Sequence, residues 1–212
     1  MKPLRIGIYG GAFDPPHRAH VGLAQAAVAQ LGLDLLYVVP TGQPWMKTRQ
    51  LTSAEHRLRM AELAFTSVPQ VVVSDCEVRR SGITYTMDTL LTLQAQHPQA
   101  VWFLVLGQDL LPTLPRWQQA TALSEAAQVA VLQRPQEDAP ALQEVAERVQ
   151  QELPALQVVF LQAPSSTISS TAVREGLQAR ASLSNAQRVR WLRDFVPEPV
   201  AEYINKHHLY LD

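Results

Sequence analysis

The chain has 212 residues, 47% of them hydrophobic, which is enough for one packed core or a core with a small appendage. Eighteen Lys and Arg against nineteen Asp and Glu leave a formal net charge of −1, which argues against a basic footprint for nucleic acid or an anionic membrane, so any anion has to be bound locally. The single cysteine, Cys76, excludes an internal disulfide and a cysteine-rich zinc site and fits a reducing compartment.

Residues 4–9 are apolar and read as a buried first strand. Gly7, Gly10, Gly11 and Asp14 interrupt that run before a signal-peptide core could form, so a cytoplasmic location is expected. Directly after the strand comes Gly10-Gly11-Ala12-Phe13-Asp14-Pro15-Pro16-His17-Arg18-Ala19-His20. Glycines let main-chain N–H groups approach a ligand closely, and a helix beginning near His17 aims the positive end of its dipole at the same place. His17 and His20, three apart, share one face of its first turn, where imidazoles can donate to phosphate oxygens. A dinucleotide loop fits poorly: the glycines do not make G-x-G-x-x-G, two prolines occupy the turn, and the second strand ends Val38-Val39-Pro40 without an acid. Zinc ligation by the two histidines is the competing reading, but the spacing is not four and no carboxylate accompanies them.

Further strands are predicted over 35–39, 71–74, 101–106, 128–132 and 158–161. They alternate with helical patterns over 21–31, 54–66, 87–96, 119–126, 141–151 and 171–178. Thr52-Ser53-Ala54-Glu55 is a capping-box pattern for the second helix. The stretch 133–140 reads as a loop, and from Ser184 onward the chain reads as short helices, the last opened by Pro197-Glu198-Pro199. Runs of β-branched residues without polar alternation mean strands covered on both faces, so the expected fold is α/β: Rossmann-like, doubly wound, mainly parallel, with a C-terminal helical cap. The expected organisation is one domain over 1–212 with a helical subregion at 183–212. The apolar run at 101–106 is strand length, so no membrane span is expected.

Doubly wound sheets bind ligands beyond the carboxyl ends of their strands. Four unusual segments fall there: the glycine–histidine segment, 40–47, Gly107-Gln108-Asp109, and Ile168-Ser169-Ser170-Thr171-Ala172-Val173-Arg174. In the last of these, Ser169, Ser170 and Thr171 can cap a helix, and Arg174 lies one turn on, a geometry that clamps a polyphosphate. An ordinary N-cap with a solvated arginine is the alternative for that segment alone.

The first and last segments together resemble the nucleotidyltransferase superfamily with its paired-histidine signature. Gly11, Phe13, Asp14, Pro15, His17 and His20 follow G-x-F-D-P-x-H-x-G-H, with Ala19 in place of glycine, and Ile168, Ser169, Thr171, Val173 and Arg174 follow I-S-x-T-x-[I/V]-R. The resemblance implies adenylyl transfer, in which a phosphate oxygen attacks the α-phosphorus of ATP in line and pyrophosphate leaves. It implies catalytic roles for His17, His20 and Arg174. It implies an ATP site at Gly10, Gly11, Phe13, His17, His20, Lys47, Gly107, Asp109, Ile168, Ser169, Ser170, Thr171 and Arg174. It also implies Mg²⁺ carried by the ATP phosphates, with no metal ligand from protein side chains.

The acceptor is read from three further places. Arg79 to Leu90 is similar to the R-x-G-x-S/T-Y-T-x-D-T-L element of bacterial nicotinate-nucleotide adenylyltransferases, which implies that amides around Thr84, Tyr85 and Thr86 receive the nicotinate carboxylate. Gly107-Gln108-Asp109 and Pro115-Arg116-Trp117 are similar to the same family's G-x-D and P-x-W patterns, implying that Trp117 stacks on the pyridine ring and Asp109 holds a ribose hydroxyl. Pro44 and Lys47 fit the family's P-P-H-K, but Trp45 and Met46 do not, leaving Lys47 and Arg49 as the candidate charge there; Arg134 is expected to assist with a phosphate. The implied substrates are therefore ATP and nicotinate mononucleotide. Phosphopantetheine, nicotinamide mononucleotide or glycerol phosphate as acceptor, and a nucleotide-binding module without turnover, stand as alternatives; the oligomeric state stays open, homo-oligomer included.

Overall fold

A computed structural model describes residues 2–44, 51–133, 139–162 and 166–211. In chain order it contains β1 (Arg5–Gly11), α1 (Arg18–Leu31), β2 (Leu35–Pro40), β3 (Gln43–Pro44), α2 (Ala54–Phe65), β4 (Val71–Val73), β5 (Ile83–Thr84) and α3 (Thr86–Gln94). Then come β6 (Val101–Gly107), a 3₁₀ helix (Gln108–Arg116), α4 (Ala120–Ala126), β7 (Gln128–Gln133), α5 (Ala139–Glu152), β8 (Val158–Gln162), α6 (Ser170–Gln178), α7 (Asn185–Leu192) and α8 (Glu198–Lys206).

Six strands form one sheet in the order β4-β2-β1-β6-β7-β8, and every neighbouring pair is parallel. The order reverses between β1 and β6, and that switch point opens a crevice at the carboxyl ends of both strands. Successive strand residues face opposite sides and both sides are buried. Tyr9, Val38, Phe103 and Val105 join one apolar cluster with α1, α2, α6, α7 and α8. Ile8, Val39, Leu104 and Leu106 join the other with α3, α4, α5 and the 3₁₀ helix. The fold is thus the expected doubly wound parallel sheet, and the C-terminal helices lie on the β1–α1 side.

Four details differ from the sequence reading. Most strands run further at their carboxyl ends: β1 continues through Gly10 and Gly11, paired with Val39 and Pro40. Glycine disfavours strands locally, and a neighbouring strand overrides that preference. The α2 cap is Ser53, whose Oγ accepts from the His56 N–H at 3.3 Å, because the Thr52 carbonyl is held outside the helix by Arg57 Nε at 2.9 Å. The 3₁₀ helix was not anticipated; Pro112 and Pro115 inside it withhold the N–H groups an α-helix would need. The two-residue strands β3 and β5 pair with each other, at a place where the loop after β2 approaches so closely that a Cβ on Gly42 would sit 2.2 Å from the Glu77 carbonyl.

Candidate active site

The loop from β1 into α1 folds back on itself. A Cβ on Gly11 would lie 3.0 Å from the Phe13 ring, so glycine there leaves room for Phe13 to turn inward with φ of 48°. Phe13 is 2% exposed, and its ring meets His20 edge-on with centroids 5.2 Å apart. Its side chain therefore supports the His20 ring from the core. His17 is the N-cap of α1, and its main-chain N–H donates to His20 Nδ1 at 3.1 Å. An imidazole thus fills the role that Glu or Gln plays at the third position of a capping box. With Nδ1 accepting, the proton of a neutral His20 sits on Nε2. Ala19 is half-buried, and this bond forms with the alanine in place.

The two rings stack with centroids 3.7 Å apart. His17 is 5% exposed, and its Nδ1 has no hydrogen-bond partner among the described residues. Burial lowers its pKa from 6.5 to about 4, so the ring is neutral near pH 7. The unfolded chain takes up this proton first as pH falls, so the folded state loses stability through the interval from 6.5 to about 4. That loss amounts to about 3 kcal/mol at most. Comparing denaturant melts of the parent and His17→Gln at pH 7 and pH 4 checks this: the parent is expected to show the additional acid loss and the variant to lack it.

From the opposite end of the chain, α6 docks on the same loop. Ser169 caps the helix, its Oγ accepting from the Ala172 N–H at 3.1 Å. Ser170 Oγ donates to the Pro15 carbonyl at 2.9 Å. Arg174 donates to the Asp14 carbonyl at 2.7 Å and to Thr171 Oγ1 at 3.1 Å. Ile168 is half-buried and packs on the core. The bonds to Pro15 and Asp14 span more than 150 residues of sequence and dock Arg174 and the start of α6 on the loop that leads into His17 and His20.

Beside the crevice lies a cavity of about 270 Å³, walled by Gly10, Gly11, Thr84, Thr86, Leu110 and Trp117. Trp117 is oriented by its Nε1–H, which donates to Thr113 Oγ1 at 3.0 Å. Thr84 is buried, and its hydroxyl donates to the Gln43 carbonyl at 3.3 Å. Tyr85 is the N-cap of α3, so the first-turn amides of that helix, which have no intrahelical partner, begin at Thr86 beside the cavity. Gly107 ends β6 and Asp109 follows it at the same strand edge, with Asp109 exposed. Lys47 and Arg134, together with Trp45, Met46 and Arg49, lie outside the described residues. A larger open groove of about 570 Å³ lies between α7 and α8 and takes none of its lining from the strand edge.

Two site residues were not anticipated. Arg57 is 2% exposed and donates to the carbonyls of Ala12 at 3.0 Å, Gly42 at 3.1 Å and Thr52 at 2.9 Å, tying together three loops. A signal was present: Arg57 shares the buried stripe of α2 with Met60, Ala61 and Ala64, and a cation in an apolar stripe requires buried acceptors. Glu77 lines the cavity and accepts from the buried Thr89 hydroxyl at 2.7 Å, while Arg80 donates to the same hydroxyl oxygen at 3.2 Å. No periodicity marks Glu77 in sequence. Among the described residues no group of three or more His, Cys, Asp or Glu converges to hold a metal ion, and no helix is long and apolar enough to cross a membrane.

A family model described as "Cytidylyltransferase-like" matches residues 8–176, from within β1 to within α6. The chain is 42% identical over 206 residues, 97% of its length and 98% of the other's, to the "Probable nicotinate-nucleotide adenylyltransferase" of Albidiferax ferrireducens. It is 40% identical over 209 residues, 98% of each chain, to a protein of the same name from Herpetosiphon aurantiacus. Among solved structures it is similar to the Plasmodium falciparum nicotinic acid mononucleotide adenylyltransferase complexed with APC, with a TM-score of 0.73 over 98% of this chain and 97% of that one. At 22% identity that last likeness is one of fold.

Proposed function

The chain belongs to the cytidylyltransferase-like family, and we infer that it transfers AMP from ATP to nicotinate mononucleotide, yielding deamido-NAD and pyrophosphate. The observation that carries this reading is the shared wall: Gly10 and Gly11 lead into the histidine loop and also line the cavity beneath Trp117, so a triphosphate and a nucleotide acceptor would meet at one strand end.

The chemistry needs positioned donors rather than a protein nucleophile. The amide ends of α1 and α6, the imidazoles of His17 and His20, and the Arg174 guanidinium face the triphosphate. The first-turn amides of α3 take the nicotinate carboxylate, and Trp117 stacks on the electron-poor pyridine ring. The acceptor phosphate is already ionised at neutral pH, so its oxygen attacks the α-phosphorus without a protein base. Charge then accumulates on the departing pyrophosphate, where His20 Nε2–H and Arg174 stabilise it. Mg²⁺ carried on the ATP phosphates is part of the proposal and supplies charge neutralisation when bound. The proposal also takes the chain as one nucleotidyltransferase domain acting in the cytoplasm.

Supplying purified protein with ATP, Mg²⁺ and each acceptor in turn, and measuring pyrophosphate release, tests the reading. Nicotinate mononucleotide is expected to be the preferred acceptor. Nicotinamide mononucleotide should fall behind by about tenfold in kcat/KM, since a neutral amide gains less from a helix N-terminus than a carboxylate does. Turnover with phosphopantetheine and none with nicotinate mononucleotide would overturn the acceptor assignment. Tight ATP binding with no pyrophosphate from any acceptor would overturn the reaction itself.

A further inference from the structure

The loop from β1 into α1 is held by α6 and also by a residue from the C-terminal tail, Tyr210. The Tyr210 hydroxyl donates to Asp14 Oδ1 at 2.7 Å, and Met60 Sδ lies 3.9 Å from the tyrosine oxygen. Asp14 is 1% exposed, and a carboxylate so far from water requires hydrogen bonds to hold its charge. Burial and the nearby Asp14 carboxylate push the Tyr210 hydroxyl well above the ordinary tyrosine range, which keeps it protonated as the donor.

The tail that delivers this hydroxyl is held firmly. His208 and Tyr210 have φ of 51° and 62°, left-handed conformations that non-glycine residues keep only where their surroundings fix them. Those surroundings are the Leu209 N–H donating to the Ile204 carbonyl at 3.1 Å and the packing of Leu209, Tyr210 and Leu211 against the core.

Asp14 is where these constraints meet. The residue before it wedges its ring against His20, its own carbonyl accepts from Arg174, the next carbonyl accepts from Ser170, and His17 follows three residues on. With the main chain held by α6 and the side chain by the tail, the loop is fixed from two sides. We propose that Tyr210 is a positioning residue for adenylyl transfer, acting through Asp14 to hold the loop that presents His17 and His20 to the triphosphate. The inference rests on the transfer reading above and assigns Tyr210 no contact with substrate.

Tyr210→Phe removes one oxygen and keeps the ring. The test follows pyrophosphate release at saturating ATP and nicotinate mononucleotide, together with the ¹⁵N imidazole signals of His17 and His20 in the nucleotide-free protein. Displacing a reacting loop by a fraction of an ångström is expected to lower kcat by about tenfold, with the KM for nicotinate mononucleotide unchanged and both imidazole signals displaced. Leu156→Ala, in the opposite apolar cluster, is the control: it should lower the melting temperature at least as far while leaving kcat and the imidazole signals where they were. A kcat for Tyr210→Phe within twofold of the parent, with unmoved imidazole signals, overturns the proposal. So does an equal loss of turnover in Leu156→Ala. Should the parent itself release no pyrophosphate, the transfer reading fails, while the imidazole signals still decide whether Tyr210 positions the loop.

Discussion

Replacing His20 with alanine is expected to lower kcat by roughly 10²–10³-fold, about 3–4 kcal/mol of transition-state stabilisation, while the KM for ATP changes much less. Its Nδ1 is occupied by the His17 N–H, so Nε2–H is the donor that can follow charge onto the leaving pyrophosphate. A donor matched to charge that develops during reaction affects kcat more than ground-state binding. The same substitution also removes the acceptor at the start of α1, with an expected stability loss of about 1 kcal/mol. His20→Gln separates the two effects, because glutamine restores the capping box without an imidazole. The glutamine variant should melt like the parent and stay well below it in turnover. Steady-state kinetics and thermal melts of both variants decide the matter, and parental kcat in His20→Ala would remove the residue from the chemistry.

The second large effect is expected at Arg174. Its guanidinium braces the Asp14 carbonyl at 2.7 Å and Thr171 Oγ1 at 3.1 Å on the helix whose N-terminus faces the same crevice, so truncation removes a cation and loosens the loop at once. Arg174→Ala should lower kcat/KM for ATP by about 10²-fold or more, consistent with the roughly 2–3 kcal/mol assigned to a charged hydrogen bond plus the loss of positioning. Arg174→Lys is expected to recover little of this. A lysine ammonium keeps the charge but cannot reproduce a planar fork that holds two acceptors in fixed directions. Measuring kcat/KM for ATP at several salt concentrations checks the distinction. A lysine variant as active as the parent would show that Arg174 acts as a point charge only.

The readable parts of this molecule were those whose meaning is local. Strand runs without polar alternation announced a sheet covered on both faces, and the spacing of His17 and His20 after Gly10 and Gly11 marked a candidate anion site, because glycine freedom, helix dipoles and imidazole reach all act within a few residues. Ser169 as a cap and the amide-rich start of α3 near Thr86 were legible for the same reason. Boundaries fared worse where pairing decided them. Gly10 and Gly11 belong to β1 only because Val39 and Pro40 lie alongside, and the 3₁₀ helix depends on where Pro112 and Pro115 fall against the core.

Sequence alone indicated the six strands of the main sheet and most of the helices, the end of the sheet where a ligand is expected, and the residue types proposed to meet it. The tertiary structure decided which distant groups hold those residues in place. Arg57 reaches three carbonyls on separate loops, Glu77 turns into the cavity wall, and Tyr210 meets an aspartate 196 positions away. A hydrogen bond between such residues carries no periodic trace along the chain. It exists only once the sheet order brings β1, α2, α6 and the final tail to one corner, where burial makes an unpaired polar group costly.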